Sequence, residues 1–338
     1  MDMTKAIAAL AFAVQANVPT MLWGAPGIGK TAIVEQVAKA QGRGIVIETL
    51  STLEPVDLRG LPWRDAKTDS VVWSKPDFLV RLEAAGPGAI LFIDEANANS
   101  QALQVPLMQL VLARRVGPHL LPKDTRIVLA GNRQTDRAAA QRMPTALANR
   151  LLHIDVEVDL KAWLAWAASV QLHPLVVAFM SWRGQGTSNR PGLLHQFDPS
   201  KPDVRAFPSP RSWEKVADVV DAPDAIRPAL VSGLVGEGAA AEMEGFLQLR
   251  RQLPPLPTLL ADPQNAPVPS QPSLQYMVTV ALSRAAKAAT FAAVLTYTKR
   301  LGREFEIVAA TDAVRRDPAL AETAAFVHWA ASNADVLI

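Results

Sequence analysis

The run Thr20-Met21-Leu22-Trp23-Gly24-Ala25-Pro26-Gly27-Ile28-Gly29-Lys30-Thr31 decides the architecture. Four residues of strand character lead into a Gly-x-x-x-x-Gly-Lys-Thr loop, and a helical pattern over Lys30–Ala40 follows. Strand, glycine loop and helix in that order form the context in which such a loop cradles phosphate. Its glycines let backbone N–H groups curl round a β-phosphate, and the helix N-terminus adds a favourable dipole. Lys30 places a point charge between β- and γ-phosphates, and the Thr31 hydroxyl is suited to Mg²⁺. A chance Gly-rich turn would not fill every one of these positions correctly.

Outward from this loop, the first 155 residues alternate short apolar runs with helical patterns, which predicts a parallel sheet covered by helices. The expected strands are Thr20–Trp23, Gly44–Thr49, Ala89–Asp94, Thr125–Gly131 and Leu151–Val156. Two stretches read as insertions into that α/β core. Residues 51–75 are rich in turn residues, with a hairpin around Leu61–Trp73, and residues 114–122 carry a second hairpin. After Asp155 the strand pattern stops, and Asp159–Gln171, Pro174–Trp182, Pro210–Val220 and Ala239–Arg251 read as helices. The expected division is a core over 1–157, an all-α lid over 158–252, a crossing segment over 253–272 and a helical part over 273–338. Seven prolines make 253–272 an extended, semi-rigid segment, and Ser273–Lys299 reads as one Ala-rich helix with two more helices after it. The Gly/Pro/Ser/Asn-rich stretch Gly184–Pro208 is too long for a simple connector, which suggests a role of its own.

Two further strands end in polar residues at the sheet edge where ligands bind in such folds. Ala89-Ile90-Leu91-Phe92-Ile93 delivers the pair Asp94-Glu95, 64 residues after Lys30. Asp94 suits a Mg²⁺ ion held through water, and Glu95 suits orientation or deprotonation of an attacking water. Ile127-Val128-Leu129-Ala130-Gly131 ends in Asn132, well placed to position that water against the γ-phosphate. Pro144–Asn149 then sets Arg150 at the end of a short helix, facing outward, where it would complete a neighbour's site as an arginine finger. Arg133, Arg137 and Arg142 are its rivals.

Composition narrows the field. The 338 residues carry 49% hydrophobic and 20% charged residues, ample for folded cores. Cysteine is absent, which excludes disulfides, thiolate metal sites and a Cys nucleophile. The five histidines never fall at i, i+4 spacing, which argues against zinc. Net charge is +2, with 17 basic and 13 acidic residues up to Arg150 and 17 and 19 beyond it. Neither half is polybasic, so strong sequence-independent nucleic-acid binding is not implied. Lys5 followed by Ala6–Val14 imitates a signal peptide, but the uncharged stretch is broken by Gln15, Asn17, Pro19 and the glycine loop. An amphipathic helix and a cytoplasmic protein are expected. The apolar stretch Trp163–Trp182 holds His173-Pro174 and reads as two buried helices.

The ordered set Gly24–Thr31, Phe92-Ile93-Asp94-Glu95-Ala96-Asn97, Gly131-Asn132 and Ala148-Asn149-Arg150-Leu151 resembles the AAA+ ATPases, and within them the MoxR branch. The resemblance reaches over about residues 5–250. It implies ATP and Mg²⁺ as ligands, with Gly24, Ala25, Pro26, Gly27, Ile28, Gly29, Lys30 and Thr31 as the Walker A loop and Asp94 in Walker B. It also implies a hexameric ring with sites between subunits, and a partner bearing a von Willebrand A domain. Val56-Asp57-Leu58-Arg59-Gly60 is similar to the entry of the helix-2 insertion, and Arg114–Pro122 sits where the pre-sensor hairpin would. Pro208-Ser209-Pro210-Arg211 resembles the second sensor, with Arg211 reaching the γ-phosphate; an arginine is otherwise a poor partner for a helix N-terminus.

The chain departs from the family at three places. Pro106 interrupts the helix Ser100–Ala113 and predicts a kink near Ala102, Gly131-Asn132-Arg133-Gln134 lacks the Asn-Pro pair common in the family, and the tail after Pro254 holds no assignable motif. Three function classes follow. The first is a ring that spends ATP to remodel or activate a partner protein. The second is a nucleic-acid motor or GTP-using restriction-type ring, against which the lack of a basic domain counts. The third, a small-molecule kinase, leaves Glu95, Asn132 and Arg150 unexplained together. The motifs do not choose ATP over GTP; base-reading residues are expected around Asn17–Thr20 and in the lid.

Overall fold

The computed structural model describes residues 1–97, 101–133, 136, 143–187, 190–201, 203–249, 253 and 255–333. The chain divides into two compact units, Met1–Asp159 with Phe197–Pro202, and Leu160–Gln196 with Asp203–Ile338.

The first unit runs α1 Met3–Gln15, β1 Thr20–Trp23, α2 Lys30–Ala40, β2 Ile45–Thr49, α3 Pro55–Arg59, β3 Pro62–Asp65, β4 Ser70–Trp73, α4 Asp77–Ala84 and β5 Ile90–Asp94. It continues with α5 Gln101–Ala113, β6 Arg115–Val116, β7 His119–Leu120, β8 Arg126–Gly131, α6 Thr145–Ala148 and β9 Leu152–Asp155. Five strands form one parallel sheet in the order β2-β5-β8-β1-β9. Strand side chains alternate between faces. Leu22, Ile90, Phe92, Val128, Ala130 and Ile154 therefore pack with α1 and α2. Met21, Leu91, Ile93, Ile127 and Leu129 pack on the other face with α4 and α5. Burial on both faces explains why these strands read as continuous apolar runs.

The helix over the N-terminal apolar stretch is amphipathic, with Ala6, Leu10, Ala13 and Val14 buried and Asp2 accepting from the Lys5 N–H at its start. Among the described residues no helix is long and apolar enough to cross a membrane. Both expected hairpins form: β3 pairs antiparallel with β4, and β6 with β7. The helix α5 runs as one element through Pro106. Proline has no N–H for the Ala102 carbonyl, so one rung of this helix is lost.

The second unit is helical: α7 Leu160–Ser169, α8 Pro174–Arg183, α9 Pro210–Val219, α10 Arg227–Val235, α11 Glu237–Leu249, α12 Leu256–Ala261, α13 Pro272–Ala285, α14 Phe291–Leu301, α15 Arg303–Arg316 and α16 Ala324–Ser332. The split between α7 and α8 falls before His173-Pro174, where the proline starts the new helix and the His173 ring accepts from the Leu175 N–H. In α8, Phe179 packs against Trp213 and Phe246, each ring pair 5.3 Å apart, and Trp182 stacks on Phe246. The Trp213 indole is fully buried and donates to the Leu193 carbonyl at 2.6 Å. Trp213→Ala is expected to lower the stability of this unit by about 3–5 kcal/mol, measured by urea unfolding followed through helical circular dichroism.

Three expectations for this half change. Ser273–Lys299 is not one helix: it breaks at Ala286, whose ψ of 129° is extended, and restarts at Phe291. Residues 253–272 are not extended throughout, because Leu256–Ala261 forms a helix with prolines confined to its first turn, where no N–H is needed. The Tyr297 hydroxyl then donates to the Pro267 carbonyl, and Arg300 donates to the carbonyls of Pro263 and Ala266, which ties this segment to α14. Finally, the lid and C-terminal helices expected as separate parts lie in one unit: α13 packs on α8 and α15 on α7.

Described residues around the long stretch after α8 are anchored rather than loose. Arg183, 6% exposed, donates to Glu242 and to the Pro191 carbonyl, and Arg190 pairs with the same carboxylate.

Candidate nucleotide site

The carboxyl ends of β5, β8 and β1 lie side by side, since these three strands are neighbours in the sheet. Each ends in one of the motifs read from the sequence, so strand order alone gathers them at one edge. The glycine loop leaves β1 and enters α2 through Gly27 at φ 77° and Gly29 at φ 94°, left-handed conformations that glycine adopts without steric cost. Lys30 Nζ donates to the carbonyls of Gly24 (2.8 Å) and Ala25 (3.2 Å) and to Asn132 Oδ1 (2.9 Å). The ammonium therefore stands between the loop and the end of β8, where an arriving phosphate would compete for it.

Thr31 Oγ1 donates to Asp94 Oδ2 at 2.9 Å. A hydroxyl and a carboxylate oxygen thus meet at one point, the hard-oxygen donor set that Mg²⁺ takes. Among the described residues no cluster of three His, Cys, Asp or Glu groups could hold a metal, so such an ion would complete its shell from phosphate and water. The residues present fit a nucleotide-borne Mg²⁺.

Glu95 follows at φ 52°, a left-handed conformation uncommon outside glycine. Its N–H donates to Asp94 Oδ1 at 2.8 Å, and the next residue, Ala96, returns to the sheet through the Ala130 carbonyl. This turn leaves Glu95 exposed while Asp94 and Ala96 are not, so its carboxylate projects from the sheet edge. The Ser51 hydroxyl donates to that carboxylate. Ser51 lies just beyond β2, and nothing in its sequence context singled it out. Asn97, at the end of the acid-pair motif, is buried and bonded to both backbone polar groups of Asn132.

The arginines separate by position. Arg133 lies at the carboxyl edge and donates to Asp155 of β9 at 2.9 Å, so it is tied within its own subunit. Instead of the Asn-Pro turn, its N–H donates to the Asp136 carboxylate. Arg150 is exposed, follows α6 and donates to the Ala146 carbonyl at 2.9 Å. It precedes β9, whose Leu152 pairs with Thr20 at the amino end of β1. A strand of four residues, about 13 Å long, separates it from the edge that holds the glycine loop. Arg137 and Arg142 lie outside the described residues. Arg211 belongs to the second unit, where it is exposed in the first turn of α9; there Ser209 and Ser212 form the capping box, and the guanidinium plays no part in the cap. The expectation of base-reading residues at Asn17–Thr20 is not met by their surroundings. They enter β1 at its amino end, where Asn17 accepts from Arg114 and the Thr20 hydroxyl donates to Val18, so they form a structural corner.

A phosphate loop, an acid pair and a polar strand end on adjacent parallel strands define a P-loop nucleoside-triphosphatase domain. Residues 19–151 match the sequence model of the AAA domain, dynein-related subfamily. The chain carries an AAA+ ATPase domain of the dynein-related type. Midasin from Giardia intestinalis is 30% identical over 148 residues, which are 41% of this chain and 3% of midasin. The chain thus spans a small fraction of the curated relative that it matches. Among solved structures, Thermotoga maritima RuvB, a Holliday junction branch migration motor, has a TM-score of 0.40 at 15% identity, over 88% of this chain and 86% of RuvB. NtrX from Brucella abortus has a TM-score of 0.42 at 14% identity, over 96% of this chain and 64% of NtrX.

Proposed function

We propose that the protein hydrolyses ATP with Mg²⁺ in a homo-oligomeric ring of six and uses the cycle to remodel or activate a partner protein, as a member of the MoxR branch. The observation that carries this reading is the convergence of Lys30, Thr31, Asp94, Glu95 and Asn132 on one sheet edge. Thr31 and Asp94 would hold Mg²⁺, which would neutralise charge developing on the transferred phosphoryl group. Lys30 binds the β- and γ-phosphates, and the amides of Gly27–Lys30 wrap them. Glu95 orients the attacking water and takes its proton, and Asn132 holds that water in line with the γ-phosphate. The Ser51 hydroxyl holds the Glu95 carboxylate at the side until nucleotide and neighbour are in place.

The position of the charges supports the ring. Arg150 sits a strand length from its own glycine loop, on an exposed turn, so its guanidinium is available to a neighbour's phosphate and not to its own. Arg211 would serve as the lid arginine. A von Willebrand A-domain protein is the proposed partner, and a gene for one beside this gene would favour this reading; a neighbouring nuclease gene would favour the restriction-type ring instead. A site completed between subunits makes assembly and nucleotide interdependent by mass action. ATP should shift the protein toward the ring, and turnover per subunit should rise with protein concentration, measured by light scattering alongside phosphate release. A monomer at every concentration with constant specific activity would refute the ring.

A further inference from the structure

The carboxamide of Asn97 occupies an unusual place. β5 and β8 pair through Ile93 and Leu129, and then the backbone of β5 turns away at Glu95. The Ala96 N–H still reaches the Ala130 carbonyl at 2.8 Å. Beyond it the ladder is continued by a side chain: Asn97 Nδ2 donates to the Asn132 carbonyl at 2.7 Å, and the Asn132 N–H donates to Asn97 Oδ1 at 3.2 Å. An amide side chain presents an N–H donor beside a carbonyl acceptor at the spacing of a peptide group, so it substitutes for the strand that has left. The residue is 3% exposed.

The opposite side of this clip is filled. A Cβ on Gly131 would lie 2.2 Å from Asn97 Oδ1 and 2.6 Å from Met21 Cε, so only glycine lets the carboxamide approach. Asn132 is therefore fixed through both backbone polar groups by a residue two positions after Glu95, while its own side chain reaches Lys30.

We infer that Asn97 is a positioning residue for hydrolysis: it clamps the Asn132 backbone to the end of β5 and so sets the spacing between the Asp94-Glu95 pair and the Asn132 side chain. The inference rests on the reading of Asn132 as the residue that orients water. Misplacing a reacting group by about 1 Å costs on the order of 10²-fold in rate, so a clip of this kind acts on turnover more than on binding.

Asn97→Asp preserves size and the acceptor but removes the N–H donor and sets a carboxylate against the Asn132 carbonyl. Its kcat is expected to fall about 10- to 100-fold, with KM for ATP and the Kd of a non-hydrolysable analogue changed by no more than about twofold. Gly131→Ala displaces the same carboxamide from the other side and should give the same kcat-selective loss. If Asn97→Asp does not fold, Asn97→Ser carries the same expectation. In an Asn132→Ala background, Asn97→Asp should cost less than about threefold more, because the group it positions is gone. Turnover of Asn97→Asp near that of the unmutated protein, with Asn132→Ala slow, would overturn the inference. So would losses that multiply in the double variant, since they would mean a general structural role. An Asn132→Ala protein with undiminished turnover would reject the water-orienting role of Asn132 itself, and the inference with it.

Discussion

Glu95→Gln is expected to bind ATP as tightly as the unmutated protein and to hydrolyse it about 10²–10⁴-fold more slowly, the range of a general-base contribution. Lys30→Ala should fail earlier, losing the nucleotide itself. The two differ because of what each group meets in the ground state. Lys30 Nζ already lies among the carbonyls of Gly24 and Ala25 and the Asn132 amide, at the mouth of the glycine loop, so it engages bound phosphate before any reaction. Glu95 is exposed at the end of β5, and its bonding partner is the Ser51 hydroxyl rather than the loop. Gln has the same length and can still take up that hydroxyl, but it cannot accept a proton. Titration with a fluorescent ATP analogue separates binding from turnover, and phosphate release measures the rate. Hydrolysis by Glu95→Gln at the unmutated rate would remove Glu95 from the mechanism.

The placement of these residues is legible in the sequence because they sit at strand ends. The apolar runs Ile90–Ile93 and Ile127–Ala130 are buried on both faces, so they stand out, and the polar residue that ends each is conspicuous by contrast. Asn97 was not legible. Two residues after an acid pair, an Asn looks like a turn residue, and only the left-handed turn at Glu95 reveals that its amide rejoins the sheet. Ser51 is silent for the same reason, being an ordinary serine in a turn-rich insertion. In the second unit, the break after Ala285 falls among alanines with neither Gly nor Pro to announce it. It is set by packing: Phe291, Val294 and Tyr297 are fully buried after the break, which one continuous helix would not allow alongside the buried face of α13. The helix α10 is hard to read in the sequence because Gly233 falls inside it; a pair of hydrogen bonds from Arg227 to Glu244 anchors it instead.

Arg150→Ala should lose about 10³–10⁵-fold in turnover, the contribution of an arginine finger, while binding ATP normally. An Arg150→Ala subunit keeps its own Lys30, Glu95 and Asn132 but denies charge to a neighbour's transition state. A Glu95→Gln subunit has the complementary defect, keeping its arginine and losing its base. In a mixed ring, some interfaces join an intact Glu95 to an intact Arg150, and those sites should recover activity. Arg150 lies at the amino edge and the glycine loop at the carboxyl edge of the same parallel sheet, so recovery through its own subunit would need the sheet to be crossed. Phosphate release from a titrated mixture, with exchange followed by fluorescently labelled subunits, reads the outcome. Activity that peaks at intermediate mixing ratios is the expected result. If subunits exchange and none returns, Arg150 is not the finger of an independently firing site. The same mixture with Arg142→Ala or Arg137→Ala in its place then tests the remaining arginines. Arg133 needs no such test, because its guanidinium is already bonded to Asp155 of its own chain, beside its own site.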